Sequence, residues 1–282
     1  VAHWCSIVTT PSTIPALACD CHIHIYDDAY PLAASATFKP PHAPVSAYQR
    51  VQQALGLQRA VVVQPTGYGT DHTLLLKALE QMGDDARGVV VLPPEQQTEA
   101  NLQALHRRGV RGIRFMLLAA GQLGWDTLEA TAARIAPLGW HINLQLDGRE
   151  LAQHLTMLQR LPCRLVIDHT GKFLEPVGIE HPGFQALLQL LDGGNCWVKL
   201  SAPYETSKTG GPDYADVFLL AHTLAQRYPE RCLWASNWPH PNRNPVPSDV
   251  EMLGLLNRWA DTATVREQIL VTNPADVYGF AL

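Results

Sequence analysis

Eight short apolar runs punctuate this chain, at residues 18–25, 59–64, 88–92, 112–115, 141–145, 164–168, 197–200 and 231–235. Between them lie stretches with apolar residues at helical spacing, among them 71–82, 95–107, 127–137, 148–161, 214–228 and 249–259. Residues 264–280 read as further helix. Strand–helix alternation of this kind implies a parallel sheet. Eight such units in 282 residues predict a closed (β/α)8 barrel, one α/β domain spanning 1–282, better than an open sheet. Residues 1–17 are expected to form an N-terminal extension and 264–282 a C-terminal helical cap.

Parity along the strands supports closure. In the run His141 to Asp147, Ile142, Leu144 and Leu146 alternate with Asn143, Gln145 and Asp147. The apolar set should face the surrounding helices and the polar set the barrel axis. The run Asp20-Cys21-His22-Ile23-His24 places two imidazoles on one strand face, with Asp20 in line behind them and Cys21 pointing the other way. Such a pair can bind a metal, or position and protonate a substrate. Lys199 shares parity with Ser201 and should point inward, where an acid such as Asp20 would pair with it.

A composition of 46% hydrophobic residues suffices for one large core. A formal net charge of −5 argues against a nucleic-acid surface. No apolar stretch is long enough to span a bilayer, and the first residues lack the features of a secretory signal. Six scattered cysteines (Cys5, Cys19, Cys21, Cys163, Cys196, Cys232) without a C-x-x-C pair read as buried free thiols of a cytoplasmic protein. A monomer or a homodimer is expected.

Barrel active sites form at the C-terminal ends of the strands. Reading only those ends gathers His22 and His24, Asp71 after strand two, Arg114 on strand four and Gln145 on strand five. Strands six to eight add His169, Tyr204, Lys208, Asn237 and His240. Each has a plain alternative. A strand-end histidine is often only hydrogen-bonded, Arg114 can tie two loops together, and Asp71 can cap the helix that follows it. Their convergence at one barrel face outweighs these readings.

The set resembles the amidohydrolase superfamily. The matching pieces are His22-x-His24, His169 after strand six, and Trp234-Ala-Ser-Asn-Trp-Pro-His240. Together with Ile167-Asp-His-Thr-Gly171 and Trp197-Val-Lys-Leu-Ser-Ala-Pro-Tyr-Glu205, they resemble the branch of pyrone-dicarboxylate lactonases, sulfomuconolactonases and galactarolactone isomerases. The resemblance implies lactone chemistry. Within it His22, His24, His169 and Asn237 are expected to be catalytic, with Asp71 as the candidate acid/base, and Arg114, Gln145, Tyr204, Lys208 and His240 are expected to contact a small carboxylated lactone.

Strand eight departs from the superfamily pattern, in which an aspartate serves as metal ligand and base. Here it ends in Asn237. An amide cannot accept a proton near pH 7 and is a poor ligand for a transition metal. No cofactor is therefore expected. The alternative is one weakly bound zinc or manganese on His22, His24 and His169.

Hydrolytic ring opening of a sugar-acid or pyrone-dicarboxylate-like lactone is the first reading. Metal-independent isomerisation is the second: a hydroxyl of the substrate attacks the ring carbonyl, its tethering replaces an activated water, and Asp71 shuttles the proton. A non-catalytic sugar-acid binder is the third. An engineered replacement of aspartate at Asn237 would restore ordinary hydrolysis.

Overall fold

The computed structural model describes residues 14–119 and 121–282. Eight strands form one parallel sheet in the order β1 to β8: Cys19–Ile23, Arg59–Val63, Ala86–Val90, Val110–Met116, His141–Gln145, Arg164–Ile167, Cys196–Leu200 and Cys232–Trp234. Neighbouring strands are neighbours in sequence, as a right-handed β–α–β coil requires. Asn237 N donates to His22 O at 3.0 Å and His24 N to Trp238 O at 2.8 Å, joining the end of β8 to β1. These two bonds fall beside the two histidines, so barrel closure and site assembly share the same backbone atoms.

The intervening helices are α1 (Val45–Leu55), α2 (Thr73–Met82), α3 (Glu99–Arg107), α4 (Trp125–Ile135), α5 (Leu151–Gln159), α6 (Pro182–Asp192), α7 (Ala215–Arg227) and α8 (Asp249–Trp259). Two short helices, α9 (Ala263–Glu267) and α10 (Asn273–Tyr278), end the chain. Caps mark several starts: Thr98 Oγ1 accepts from Asn101 N, and Ser248 Oγ from Glu251 N. Ile142, Leu144 and Leu146 are buried in the layer between strands and helices, as their parity predicts.

A second apolar cluster fills the barrel interior, with Val61, Val63, Val89, Val166 and Leu233 meeting Val277 and Tyr278 of α10. Arg59 and Arg87, at the starts of β2 and β3, bond the carbonyls of Ala281 and Gly279. The chain end therefore plugs the N-terminal mouth and leaves the opposite mouth for polar groups. Gly112 on β4 makes room for His141 inside this barrel, since a Cβ there would lie 2.6 Å from the imidazole.

The parity expectation fails at one place. The β1–β2 register shifts between Asp20 and Ile23. A bulge flips side chains to the opposite face. Cys19 and Cys21 join the inner cluster, and Asp20 turns outward to Tyr48 of α1, with 3.3 Å between Tyr48 OH and Oδ2. Beyond the bulge His22 and His24 return inward. Lys199 accordingly pairs with Asp168 at 3.0 Å, and the expected Lys199–Asp20 pair is replaced.

Cys19, Cys21, Cys163, Cys196 and Cys232 are free and buried, and Cys5 lies outside the described residues. Among the described residues no helix is long and apolar enough to cross a membrane.

Candidate active site

A cleft of about 220 Å³ opens at the C-terminal ends of the strands, lined among others by His24, Arg114, Gln145, His169, Lys172, Glu205 and Asn237. Beneath it lies a buried network. Lys199 Nζ stands 3.0 Å from Asp168 Oδ1, 2.6 Å from Asn143 Oδ1 and 3.1 Å from His22 Nδ1. An ammonium has three protons and no lone pair, so these contacts exhaust it. His22 Nδ1 also lies 3.2 Å from Asp168 Oδ1, so it stands between an ammonium donor and a carboxylate acceptor, and its Nε2 faces His24 Nε2 at 3.3 Å. His24 in turn donates Nδ1–H to Val63 O at 2.7 Å. Both imidazoles belong to one buried network with Lys199 and Asp168, and burial favours their neutral forms.

Burial enforces that neutrality. It pushes His22 well below the usual histidine range, lowers His24 to about 3 with help from the Arg114 guanidinium, and lowers His169 to about 4. Burial also works against the Asp168 carboxylate, but Lys199 and His22 beside it hold it well below the usual aspartate range.

Arg114 donates Nη1 to Gln64 O at 2.7 Å and Nη2 to Gln145 Oε1 at 2.8 Å. Its Nε is buried without a partner. The Arg114 side chain lines the cleft, where its positive charge suits an incoming carboxylate or carbonyl oxygen. On the facing side Glu205 pairs with Lys172. Burial opposes ionisation of Glu205, yet His169 and Lys172 hold its carboxyl down to about 2. His169 Nδ1 is held by Ser201 Oγ at 2.9 Å, which turns its Nε2 edge away from Ser201.

Asn237 takes φ +63°, a region asparagine tolerates better than most residues. Its Nδ2 donates to Tyr204 OH at 2.9 Å and to Glu205 Oε1 at 3.3 Å. Glu205, as a carboxylate, can only accept, so the amide orientation is fixed and Oδ1 is left for a ligand.

The structure thus brings His24, His169, Arg114, Gln145 and Asn237 to one cleft wall, with His22 directly beneath. Tyr204 and His240 stand behind Asn237, bonded to each other at 2.8 Å. Asp71 is not part of the cleft. It is exposed, and its Oδ1 accepts from Thr73 N at 2.9 Å at the start of α2. Lys208 is also exposed and faces Glu175 at 3.2 Å. Neither Asp71 nor Lys208 lines the cleft. Glu205 and Lys172 were legible as parts of motifs, but no spacing rule singled them out.

A family described as amidohydrolase matches residues 19–280. The chain belongs to the amidohydrolase family. Among amidohydrolase relatives it is 33% identical over 276 residues to D-galactarolactone isomerase of Agrobacterium fabrum, covering 96% of this chain and 94% of the relative. It is 32% identical over 278 residues to 2-pyrone-4,6-dicarboxylate hydrolase of Comamonas testosteroni, covering 94% and 91%. An apo crystal structure from Agrobacterium tumefaciens superposes with a TM-score of 0.90 at 32% identity, over 96% of this chain and 98% of the other.

A more distant amidohydrolase from Burkholderia multivorans, 21% identical with a TM-score of 0.71 over 94% of this chain and 100% of the other, shares the fold and holds zinc. Among the described residues, His22, Asp168 and His169 bring metal-capable atoms within 4.8 Å of one another. The set expected from sequence had His24 in the place of Asp168.

Proposed function

We propose that this amidohydrolase performs acyl transfer at the ring carbonyl of a small carboxylated lactone. The observation that carries this reading is the convergence of the Arg114 guanidinium with His24, His169, Glu205 and Asn237 on one cleft. The named relatives act on lactones or lactone-like rings, and the cleft's charges suit an anion: Arg114 and Lys172 outnumber Glu205.

In this reading Arg114 holds a substrate carboxylate. Ser201 donates to His169 Nδ1, so that His169 presents Nε2–H to the lactone carbonyl and steadies the charge that develops there. Glu205 replaces Asp71 as the proton carrier. It takes the proton of the attacking hydroxyl and returns it to the departing ring oxygen.

Hydrolysis and isomerisation share these steps and differ in the attacking group. Hydrolysis remains the first class reading, in line with relatives named hydrolases. Isomerisation is favoured by one specific observation, the amide at Asn237. A carboxylate held near 2, as Glu205 is, makes a weak base. A tethered hydroxyl needs less activation than free water, because its effective molarity is high.

We also propose that the cleft works without a resident metal. Both carboxylates at its floor, Asp168 and Glu205, are already paired with lysines. The remaining donors are neutral imidazoles, which can ligate zinc, but the Lys199 and Arg114 cations beside them repel a divalent ion. Buried free thiols support a reducing, cytoplasmic setting.

The test is to incubate chelator-treated protein with sugar-acid lactones and pyrone dicarboxylate in ¹⁸O-water, following products by proton NMR and mass. An ¹⁸O-labelled open acid identifies hydrolysis, and an unlabelled ring isomer identifies isomerisation. No turnover of any carboxylated lactone would leave a binding protein. Turnover that appears only on adding zinc or manganese would overturn the metal-free reading.

A further inference from the structure

We propose that Tyr204, His240 and Asp249 are positioning residues that lock the Asn237 amide with its oxygen towards the cleft, which makes Asn237 an obligate acceptor for a substrate hydroxyl. The inference rests on the lactone reading above for its substrate and on geometry for its mechanism.

Four side chains from three separate segments form one line. Asn237 Nδ2 meets Tyr204 OH at 2.9 Å, Tyr204 OH meets His240 Nδ1 at 2.8 Å, and His240 Nε2 meets Asp249 Oδ1 at 2.9 Å. The line ends on the Asp249 carboxylate, and the Asn237 amide at its start is also bonded to the Glu205 carboxylate; both carboxylates only accept. Asp249 is a carboxylate in the first turn of α8, where negative charge is favoured. Its acceptance puts the His240 proton on Nε2. His240 Nδ1 must then accept from Tyr204, whose oxygen is left to accept from Asn237. At the other end the Glu205 carboxylate takes the second amide proton at 3.3 Å. With His240 as a neutral imidazole every donor has one permitted direction, and reversing any member would set two lone pairs or two protons against each other.

The backbone adds to the constraint. Asn237 and His240 have φ of +63° and +58°, and His240 N donates to Asn237 O at 2.9 Å, so the turn that carries both residues is held from within. His240 is almost fully buried, with its side chain 1% exposed, and does not line the cleft. It therefore acts on substrate only through Tyr204 and Asn237. With Oδ1 facing the cleft, Asn237 discriminates. It accepts from a hydroxyl that is about to attack, and offers nothing to a carbonyl oxygen.

The test has a part that does not depend on activity. Histidine ¹⁵N–¹H NMR of the wild-type protein should show His240 as the neutral Nε2–H tautomer, and Tyr204→Phe should move its Nδ1 signal while circular dichroism stays unchanged. An Nδ1–H tautomer or an imidazolium at neutral pH would overturn the relay.

The kinetic part uses His240→Phe and His240→Gln on a turned-over lactone. His240→Phe should lower kcat by about 10²-fold with little change in KM, as misplacement of a reacting group does. His240→Gln, whose amide can both accept from Tyr204 and donate to Asp249, should recover much of that loss. Equal kcat values in wild type, His240→Phe and His240→Gln would overturn the positioning role. If the tautomer is as expected and no lactone is turned over, the lactone reading fails and the relay stands.

Discussion

Lys199 Nζ lies 3.0 Å from Asp168 Oδ1 with both side chains fully buried, and this ion pair underlies the whole catalytic face. Burial depresses Lys199, and Asp168 counters that depression. Removing one partner leaves an uncompensated buried charge. Lys199→Met should therefore cost about 3–5 kcal/mol in stability. Lys199→Met combined with Asp168→Asn should recover much of that cost, because the stranded charge is gone. Urea midpoints of the single and double variants check this. Equal midpoints would show that the pair is not coupled.

Arg114→Lys should lower kcat/KM by a factor corresponding to about 2–5 kcal/mol, mainly through KM. Lysine keeps the charge but lacks the fork that bonds Gln64 and Gln145 while leaving Nε–H free. Steady-state kinetics on a carboxylated lactone would measure it. A KM within twofold of wild type would remove Arg114 from substrate binding.

Activity should persist into acid. His169 sits near 4 and His24 near 3, both lowered by burial, while Glu205 is held near 2. The kcat/KM profile should stay flat from neutral pH to about 5, and its acid limb should fall near 4, far below the ordinary histidine range. A limb near 6.5 would mean that an unperturbed histidine controls the rate.

Stability should fall earlier than activity. His24, His141 and His169 are lowered to about 3, 3 and 4, so between those values and about 6.5 the unfolded chain binds more protons. Their contribution is present above about 6.5 and is lost as the pH falls. Asp20, raised to about 6 by burial, acts in the opposite sense between about 3.8 and 6. The imidazoles outnumber it, so the urea midpoint should drop from pH 7 to pH 4.5. A midpoint that rises over that range would contradict the buried neutral histidines.

Asp71→Ala should cost about 0.5–1.5 kcal/mol through the lost hydrogen bond from Thr73 N and leave kcat unchanged. Glu205→Gln should lower kcat by orders of magnitude. The reverse result would restore the proton-shuttle role that the sequence suggested for Asp71.

Asn237→Asp should introduce or improve hydrolysis, with a signature of its own. The new carboxylate would face Glu205, whose Oε1 now lies 3.3 Å from Nδ2. Like charges at that separation share a proton, so one of the two titrates high. Hydrolysis should therefore increase with pH through the neutral range. Product ratios in ¹⁸O-water across that range give the readout, and an unchanged ratio would remove Asn237 from the choice of nucleophile.

The eight strands fall where the apolar runs predicted them, and five of the expected site residues meet at the cleft wall. Pairing was less legible. The bulge in β1 reversed Cys21 and Asp20, because period-two reasoning assumes an uninterrupted ladder. Asp71 and Lys208 lie on loops whose paths no local rule fixes.

The sequence by itself determined the barrel, its single polar mouth and the presence of an amide in place of an acid at strand eight. These follow from burial acting on a one-dimensional pattern of apolar and polar residues. Tertiary structure alone decided who pairs with whom: Lys199 with Asp168, Glu205 with Lys172 and Asn237, and Tyr204 with His240. Those choices depend on distances of a few tenths of an ångström between strand ends and loops far apart in the chain. Hydrogen-bond direction at such distances is set by all the neighbours of a group at once, which no local pattern encodes.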